Sequence, residues 1–382
     1  MTVNPSNQAH REATVLVAGA GSAGHVSPML AVARALRERY EGVRVVALGT
    51  QVGLEADLVP AAGFELFTIE KVPFPRRPNA AALRFPREFG RGLGDVRRFI
   101  RNEGVDAVAG FGGYVCPPAY IAGRHAKLPL VIHEANKRPG MANKLGARLG
   151  AQVMTAFDMS DSSGPLSKAE WVGMPMRPEI ASLDRKAHRA AARESFGLDP
   201  DRPTLLVTGG SLGAQRLNEV LASAIAPLEG LGVQILHVTG KGKKIAASGK
   251  HYVQVEYVNG MEDAYAAADF AITRSGAGTV CELAAVGLPA LFVPLPIGNG
   301  EQALNGADMV EAGGARMIKD ALLTPELLIE TVAECLLDPE VRTRMETSAL
   351  ALGKRDAAEK VADRIAASIP ALASQRPQGG AR

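Results

Sequence analysis

Three glycine-rich segments set small residues beside groups that can act on phosphates and sugars. The first, Gly19-Ala20-Gly21-Ser22-Ala23-Gly24, follows a β-rich run, opens a helical pattern and is followed by His25. Glycines let the backbone approach a ligand, and the free N–H groups at a helix N-terminus attract anions. The spacing also fits the GxGxxG of dinucleotide sites, but that reading needs an acid at the end of the second strand to hold a ribose. Here that strand ends Ala47-Leu48-Gly49-Thr50. A nicotinamide-dependent oxidoreductase is therefore disfavoured, while anion binding stands. His25 has two readings. It can be an ordinary polar residue capping the turn, or a general base beside bound phosphate, since an imidazole titrates near neutrality.

The second segment, Thr208-Gly209-Gly210-Ser211-Leu212-Gly213, also runs from strand into helix. The Ser211 hydroxyl can cap that helix or donate to a phosphate. The chain lacks GxxxxGK[ST], which excludes a P-loop nucleotidase. The third segment is Arg274-Ser275-Gly276-Ala277-Gly278-Thr279-Val280-Cys281-Glu282. Arg274 has the charge to neutralise a phosphate, and the N–H groups of Ala277, Gly278 and Thr279 can serve the same anion. Glu282, one turn in, is either a solvated helix carboxylate or the acceptor of two hydrogen bonds from a ribose diol. Gln302 and Asn305 share a helix face three residues apart, and their amides have the chemistry to read sugar hydroxyls. Asp199-Pro200-Asp201 is the sole Asp-x-Asp and falls in a loop before a strand. Solvated turn residues are expected there, so no metal and no cofactor is expected.

Such turns need parallel strands behind them. Strand candidates are Thr14–Gly19, Val43–Gly49, Glu65–Glu70, Ala107–Phe111, Pro129–His133 and Gln152–Phe157, mostly separated by helical stretches. A second series reads Thr204–Thr208, Val233–Val238, Val253–Tyr257, Phe270–Thr273, Ala290–Pro294 and Arg316–Ile318, and three helical stretches close the chain from about Pro325 to Ile369. Alternation of this kind implies α/β architecture with parallel sheets covered on both faces. The expected organisation is two Rossmann-like domains facing across a cleft: a disordered tail over 1–12, a first domain over 13–174, a linker over 175–182 and a second domain over 183–355. A helix over 356–370 and a disordered tail over 371–382 complete the chain.

A 382-residue chain with 47% hydrophobic residues has material for two such cores. Three widely spaced cysteines, Cys116, Cys281 and Cys335, argue against a disulfide framework or a zinc site and suit a reducing compartment. No apolar run reaches the ~18 residues of a membrane span, and a net charge of +3 is too small to imply nucleic-acid binding.

Six motifs in order extend the picture: Gly24-His25-Val26-Ser27-Pro28, Gly110-Phe111-Gly112-Gly113-Tyr114-Val115, His133-Glu134-Ala135-Asn136, Val172-Gly173-Met174-Pro175-Met176-Arg177, Gly209-Gly210-Ser211-Leu212-Gly213-Ala214, and Arg274-Ser275-Gly276-Ala277 running on to Glu282. On these the chain resembles the MurG family of GT-B glycosyltransferases, nearly end to end from about residue 14 to 368. The resemblance implies an inverting N-acetylglucosaminyltransferase. The donor would be UDP-N-acetylglucosamine, and the acceptor the C4 hydroxyl of undecaprenyl-diphosphate-linked N-acetylmuramoyl-pentapeptide, in peptidoglycan synthesis and hence cell shape and division. It implies His25 as the catalytic base. It implies Ser22, Ala23 and Gly24 against donor and acceptor diphosphate, and Asn136, Arg177, Ser211 and Gln302 in the UDP-sugar site. Val258 would read uracil through its backbone, and Ala277 to Glu282 would hold diphosphate and ribose. It leaves open other cell-wall synthesis proteins as partners. Competing readings are another GT-B glycolipid glycosyltransferase, a sugar-nucleotide 2-epimerase, and a non-catalytic protein that binds the lipid precursor.

A lipid-linked acceptor requires membrane contact. Between Lys71 and Arg101 the chain carries nine bases and two acids, a local charge of +7. Phe74, Arg76, Arg77, Arg84, Phe85 and Arg87 lie within it. This is either a solvated helix face or a surface that rests on anionic lipid, with bases drawn to the headgroups and aromatic side chains dipping into the interface. The second reading places the protein peripherally on the cytoplasmic face of the cell membrane.

Overall fold

The structure is a computed structural model that describes residues 12–72, 74–75, 80–160, 164–210, 214–296, 299–375 and 377–378. The chain forms two compact units, one of residues up to Met176 together with those from Asp356 onward, the other of Arg177–Arg355.

In the first unit, β1 (Ala13–Ala18), α1 (Ala23–Arg39), β2 (Val43–Gly49), α2 (Leu54–Ala61), β3 (Glu65–Thr68), α3 (Ala80–Glu103), β4 (Val105–Gly110), α4 (Cys116–His125), β5 (Leu130–Glu134), α5 (Met141–Arg148), β6 (Gln152–Thr155) and β7 (Glu170–Trp171) follow one another. Among the described residues the strands form a seven-stranded sheet, ordered β3-β2-β1-β4-β5-β6-β7 and parallel throughout. Every residue of β1 is buried, as a strand covered on both faces must be. Alternation then divides it. Val15 and Val17 pack into the core under α1, whereas Leu16 and Ala18 join Val96, Ile100 and Tyr120 on the other face.

In the second unit the order is α6 (Pro178–Ala181), α7 (Arg185–Ser195), β8 (Thr204–Thr208), α8 (Gln215–Gly230), β9 (Gln234–Val238), β10 (Tyr252–Val255), α9 (Met261–Ala267), β11 (Phe270–Thr273), α10 (Ala277–Val286), β12 (Ala290–Phe292), α11 (Glu301–Glu311), β13 (Ala315–Met317), α12 (Pro325–Val332) and α13 (Pro339–Leu352). Its described strands form a six-stranded parallel sheet, β10-β9-β8-β11-β12-β13. The strands expected from sequence are present in both units. The two-residue β7 was not expected: it is too short to carry a pattern.

The chain then returns to the first unit through α14 (Ala357–Ala367) and α15 (Pro370–Ala373). Val361, Ala362 and Ile365 enter the core beside α1. Arg39 and the Tyr40 hydroxyl both bond the Asp363 carboxylate, at 2.9 and 2.8 Å. Of the tails expected to be disordered, residues 1–11, 376 and 379–382 lie outside the described residues. The stretch after 370 is otherwise placed. Leu372 is buried, and the Gln378 N–H donates to the Arg39 carbonyl at 2.9 Å. An apolar side chain and backbone partners on α1 give this stretch the order its polar composition did not suggest.

Both sheets have a switch point where strand order reverses, between β1 and β4 and between β8 and β11. Open α/β sheets bind ligands outside the carboxyl ends of the strands at such points. The turns of interest leave these four strands: Gly19–Gly24 from β1, Phe111–Val115 from β4, Gly209 and Gly210 from β8, and Arg274–Gly276 from β11.

Candidate active site

At the first switch point the turn after β1 is clamped by the turn after β4. The Ala20 N–H donates to the Gly112 carbonyl at 3.4 Å. Gly112 and Gly113 both have positive φ, +108° and +92°. A β-carbon on Gly112 would lie 2.7 Å from the His25 ring, and one on Gly113 would lie 2.4 Å from the Ala20 carbonyl oxygen. Both positions therefore require glycine, for conformation and for space.

His25 lies in the first turn of α1, half-buried, while Gly21, Ser22, Ala23 and Gly24 around it are exposed. Its Nδ1 is 3.0 Å from the Ala20 carbonyl and 3.2 Å from the Ser22 hydroxyl. A carbonyl oxygen only accepts, so Nδ1 carries the proton and the lone pair resides on Nε2. Ser22, at the N-cap of α1, makes no side-chain cap bond. Its hydroxyl turns to the histidine, and the first N–H groups of α1 are left uncapped beside it.

One residue of this site carried no sequence signal. Glu55, in the first turn of α2, is fully buried. Its carboxylate accepts from the Gly21 N–H at 3.2 Å, the Thr50 N–H at 3.2 Å and the Thr50 hydroxyl at 2.8 Å. Burial raises its pKa, but the hydrogen bonds from its own N–H, Gly21 and Thr50 outweigh that and hold it below the usual carboxylate range. The strand-end acid of a dinucleotide site is thus replaced by an acid that folds back beneath the turn.

Glu134 organises the loop after β5 in the same manner. It accepts from the N–H groups of Asn136 and Gly140 at 2.9 and 3.0 Å and from the Asn143 amide at 3.0 Å. This holds Asn136, half-buried, at the carboxyl end of β5.

At the second switch point, the Gly210 N–H closes onto the Thr208 hydroxyl at 3.2 Å. Ser211 lies outside the described residues. α10 begins without a side-chain cap at Gly276, so the N–H groups of Ala277, Gly278 and Thr279 and the positive end of the helix dipole are available to an anion. Glu282 follows, partly buried, with one oxygen accepting from the Tyr265 hydroxyl at 2.8 Å. Burial pushes its carboxyl above the usual range, while Tyr265 and Arg177 act in the opposite sense. Arg177 itself pairs with Glu262 at 2.7 Å. Val258 is half-buried in the loop after β10. Gln302, on α11, uses its side-chain oxygen to accept from the Leu295 N–H at 2.9 Å, which fixes the loop after β12, and Asn305 is buried beside it.

Arg274 does not stand where a phosphate contact was expected. It is 9% exposed. Its guanidinium pairs with Asp320 at 2.5 Å and donates to the Val293 carbonyl at 2.9 Å. A buried guanidinium seeks carboxylate and carbonyl partners, and Asp320, brought in after β13, supplies the charge. The residue supports the loop rather than presenting its charge on it. Asp199 and Asp201 form a turn closed by the Asp201 N–H on Asp199 at 2.9 Å, in keeping with the solvated-turn reading.

In the basic stretch, Arg76 and Arg77 lie outside the described residues. Arg84 and Arg87 are exposed on α3. Phe74 is 61% exposed and meets Phe85 edge-on at 5.2 Å, and Phe85 stacks on Phe89 at 5.4 Å. Val96 and Ile100, further along the same stripe of α3 as Phe85 and Phe89, are buried, so the helix has one apolar face that is covered towards its C-terminal half and one exposed face of arginines.

Comparison with known proteins agrees with this layout. Residues 15–155 match the model of the glycosyltransferase family 28 N-terminal domain, and residues 204–361 that of the C-terminal domain. A protein of Clavibacter sepedonicus named UDP-N-acetylglucosamine–N-acetylmuramyl-(pentapeptide) pyrophosphoryl-undecaprenol N-acetylglucosamine transferase is 49% identical over 361 residues, covering 94% of this chain and 98% of its own. One of the same name from Paenarthrobacter aurescens is 47% identical over 377 residues, covering 97% and 100%. The crystal structure of Acinetobacter baumannii MurG superposes with a TM-score of 0.76 at 30% identity, covering 92% of this chain and 99% of that one.

Proposed function

The chain belongs to glycosyltransferase family 28, and from that membership we propose that it transfers N-acetylglucosamine from UDP-N-acetylglucosamine to undecaprenyl-diphosphate-linked N-acetylmuramoyl-pentapeptide, converting lipid I to lipid II. Full-length relatives nearly half identical to the chain carry that activity in their names. The observation that carries the chemistry is the pinned tautomer of His25: Nδ1–H is engaged by the Ala20 carbonyl, and Nε2 is left as a base.

The roles then follow from the groups present. The N–H groups opening α10 take the donor diphosphate. Glu282 accepts from the ribose hydroxyls, the Val258 backbone meets uracil, and Arg177, Ser211, Asn136 and Gln302 border the sugar. The turn at Ser22, Ala23 and Gly24 approaches donor and acceptor diphosphate. His25 Nε2 removes the proton of the acceptor C4 hydroxyl as that oxygen bonds to the anomeric carbon. The anomeric bond to the diphosphate breaks with its electron pair going to UDP, and configuration inverts. The uncapped helix N-terminus stabilises the charge on the departing UDP. Arg274 acts indirectly, by holding the loop from which α10 springs.

We also propose that the arginine face of α3, with Phe74 and Phe85 at its border, docks on anionic membrane from the cytoplasmic side, where the lipid acceptor would be met. Among the described residues no helix is long and apolar enough to cross a membrane, so contact of this kind would be peripheral.

The direct test of the site is His25→Ala. Loss of a general base lowers kcat by about 10²–10⁴, and UDP affinity measured by calorimetry should stay unchanged. Near-normal turnover at saturating acceptor would reduce His25 to a structural residue.

A further inference from the structure

Glu282 hangs from α10 on a flexible side chain, and its use as a ribose ligand requires one rotamer. The partner that selects a rotamer is on another helix. Tyr265, on α9, is 2% exposed, and its hydroxyl donates to Glu282 Oε2 at 2.8 Å. The tyrosine is itself fixed. Its carbonyl accepts from Arg185 Nε at 3.0 Å, and the same guanidinium bonds the carbonyls of Ala268 and Gly287 at 2.6 Å each. One buried arginine thereby ties the end of α9 to the end of α10, which sets the distance the Tyr265–Glu282 bond must span.

The nearby cation does not compete. Arg177 pairs with Glu262 at 2.7 Å, one turn before Tyr265 on α9. A guanidinium on Glu282 would occupy both of its oxygens, whereas a phenol occupies one and leaves Oε1 to a ligand. We propose that Tyr265 is a positioning residue for nucleotide recognition: its hydroxyl orients the Glu282 carboxylate towards a vicinal ribose diol and so sets the preference for ribonucleoside over dideoxyribonucleoside diphosphates. This rests on the reading of Glu282 as the ribose acceptor.

The test is calorimetric and needs no turnover. UDP and 2′,3′-dideoxy-UDP are titrated into the full-length parent, Tyr265→Phe and Glu282→Ala. The phenylalanine keeps the ring volume and removes only the donor. An orienting hydrogen bond of ordinary strength corresponds to a Kd for UDP raised about fivefold to tenfold in Tyr265→Phe. The Kd for the dideoxy ligand should change less than about twofold, because it offers Glu282 nothing to hold. Equal weakening for both ligands, with a lowered melting temperature, would make Tyr265 a packing residue and overturn the proposal. Unchanged UDP affinity would overturn it as well. The Glu282→Ala arm separates the two levels. If it abolishes discrimination between the ligands while Tyr265→Phe leaves discrimination intact, the ribose reading stands and Tyr265 alone is wrongly assigned. If Glu282→Ala still discriminates, the ribose reading fails and the role of Tyr265 falls with it.

Discussion

Replacing Glu55 by glutamine should loosen the turn that carries His25. The carboxylate is fully buried and takes three bonds from other residues: the Gly21 N–H, the Thr50 N–H and the Thr50 hydroxyl. An amide offers one acceptor oxygen instead of two. If its NH₂ group takes the place of Oε2, it meets the Gly21 N–H; if it takes the place of Oε1, it meets both Thr50 donors. Either way at least one donor loses its acceptor: for the buried Thr50 pair this costs about 1–3 kcal/mol, and for the more exposed Gly21 N–H it falls towards the lower end of that range. Glu55→Ala strands all three donors and opens a void, so several kcal/mol are lost from a domain whose total stability is on the order of 5–15. Glutamine is therefore the informative variant. The functional effect travels one residue. Gly21 follows Ala20, whose carbonyl holds His25 Nδ1, and a misplacement of about 1 Å at a catalytic group costs roughly 10²-fold in rate. Glu55→Gln should lower the midpoint of urea unfolding. It should also reduce kcat/KM for a soluble short-chain acceptor by about tenfold to a hundredfold. UDP affinity should change less than acceptor turnover, because most of the proposed nucleotide contacts lie in the second unit. A variant that keeps both its stability and its acceptor turnover within about twofold would refute this reasoning.

Two more outcomes are expected. Changing Arg76, Arg77, Arg84 and Arg87 to Ser should weaken co-sedimentation with anionic vesicles by a few kcal/mol, at about 1 per charge, more at low salt than at high. Turnover with a soluble acceptor should be spared, and equal binding of parent and variant would show α3 to be an ordinary solvated face. Acid should destabilise both units, because His133 and His237 are buried and burial pushes each down to about 4. The unfolded chain takes up these protons first as pH falls below about 6.5, so stability is full above that pH and is lost progressively towards 4. At pH 5 each unit should be weaker than at pH 7 by about 2 kcal/mol. Urea midpoints that do not move between these pH values would contradict the neutral, buried assignment.

What could be read in the sequence was local. Parallel strands buried on both faces announce themselves as apolar runs, and each glycine turn sits where the apolar run stops, so β1, β8, β11 and the three turns were all legible. His25 was legible as a base or a cap. Its tautomer was not, since that depends on the Ala20 carbonyl and on two glycines some ninety residues away in β4's turn. Polar partners distant in sequence account for the rest. Arg274 beside a glycine turn looks like a phosphate ligand until Asp320 arrives from beyond β13. Glu55 carries no pattern of its own, and its role exists only once α2 folds it under Gly21. The final helical stretches carried no sign of which unit they would cover; Asp363 meeting Arg39 and Tyr40 settles that only in three dimensions.

Acceptor-dependent transfer of N-acetylglucosamine is measured directly by UDP release. The purified full-length chain is given UDP-N-acetylglucosamine with and without a synthetic lipid-linked N-acetylmuramoyl-pentapeptide, and with UDP-glucose and UDP-galactose as rival donors. Rapid UDP release is expected only when N-acetylglucosamine donor and muramoyl acceptor are both present, with one inverted glycosidic bond formed per UDP. Release that ignores the acceptor, or a preference for a rival donor, would contradict it.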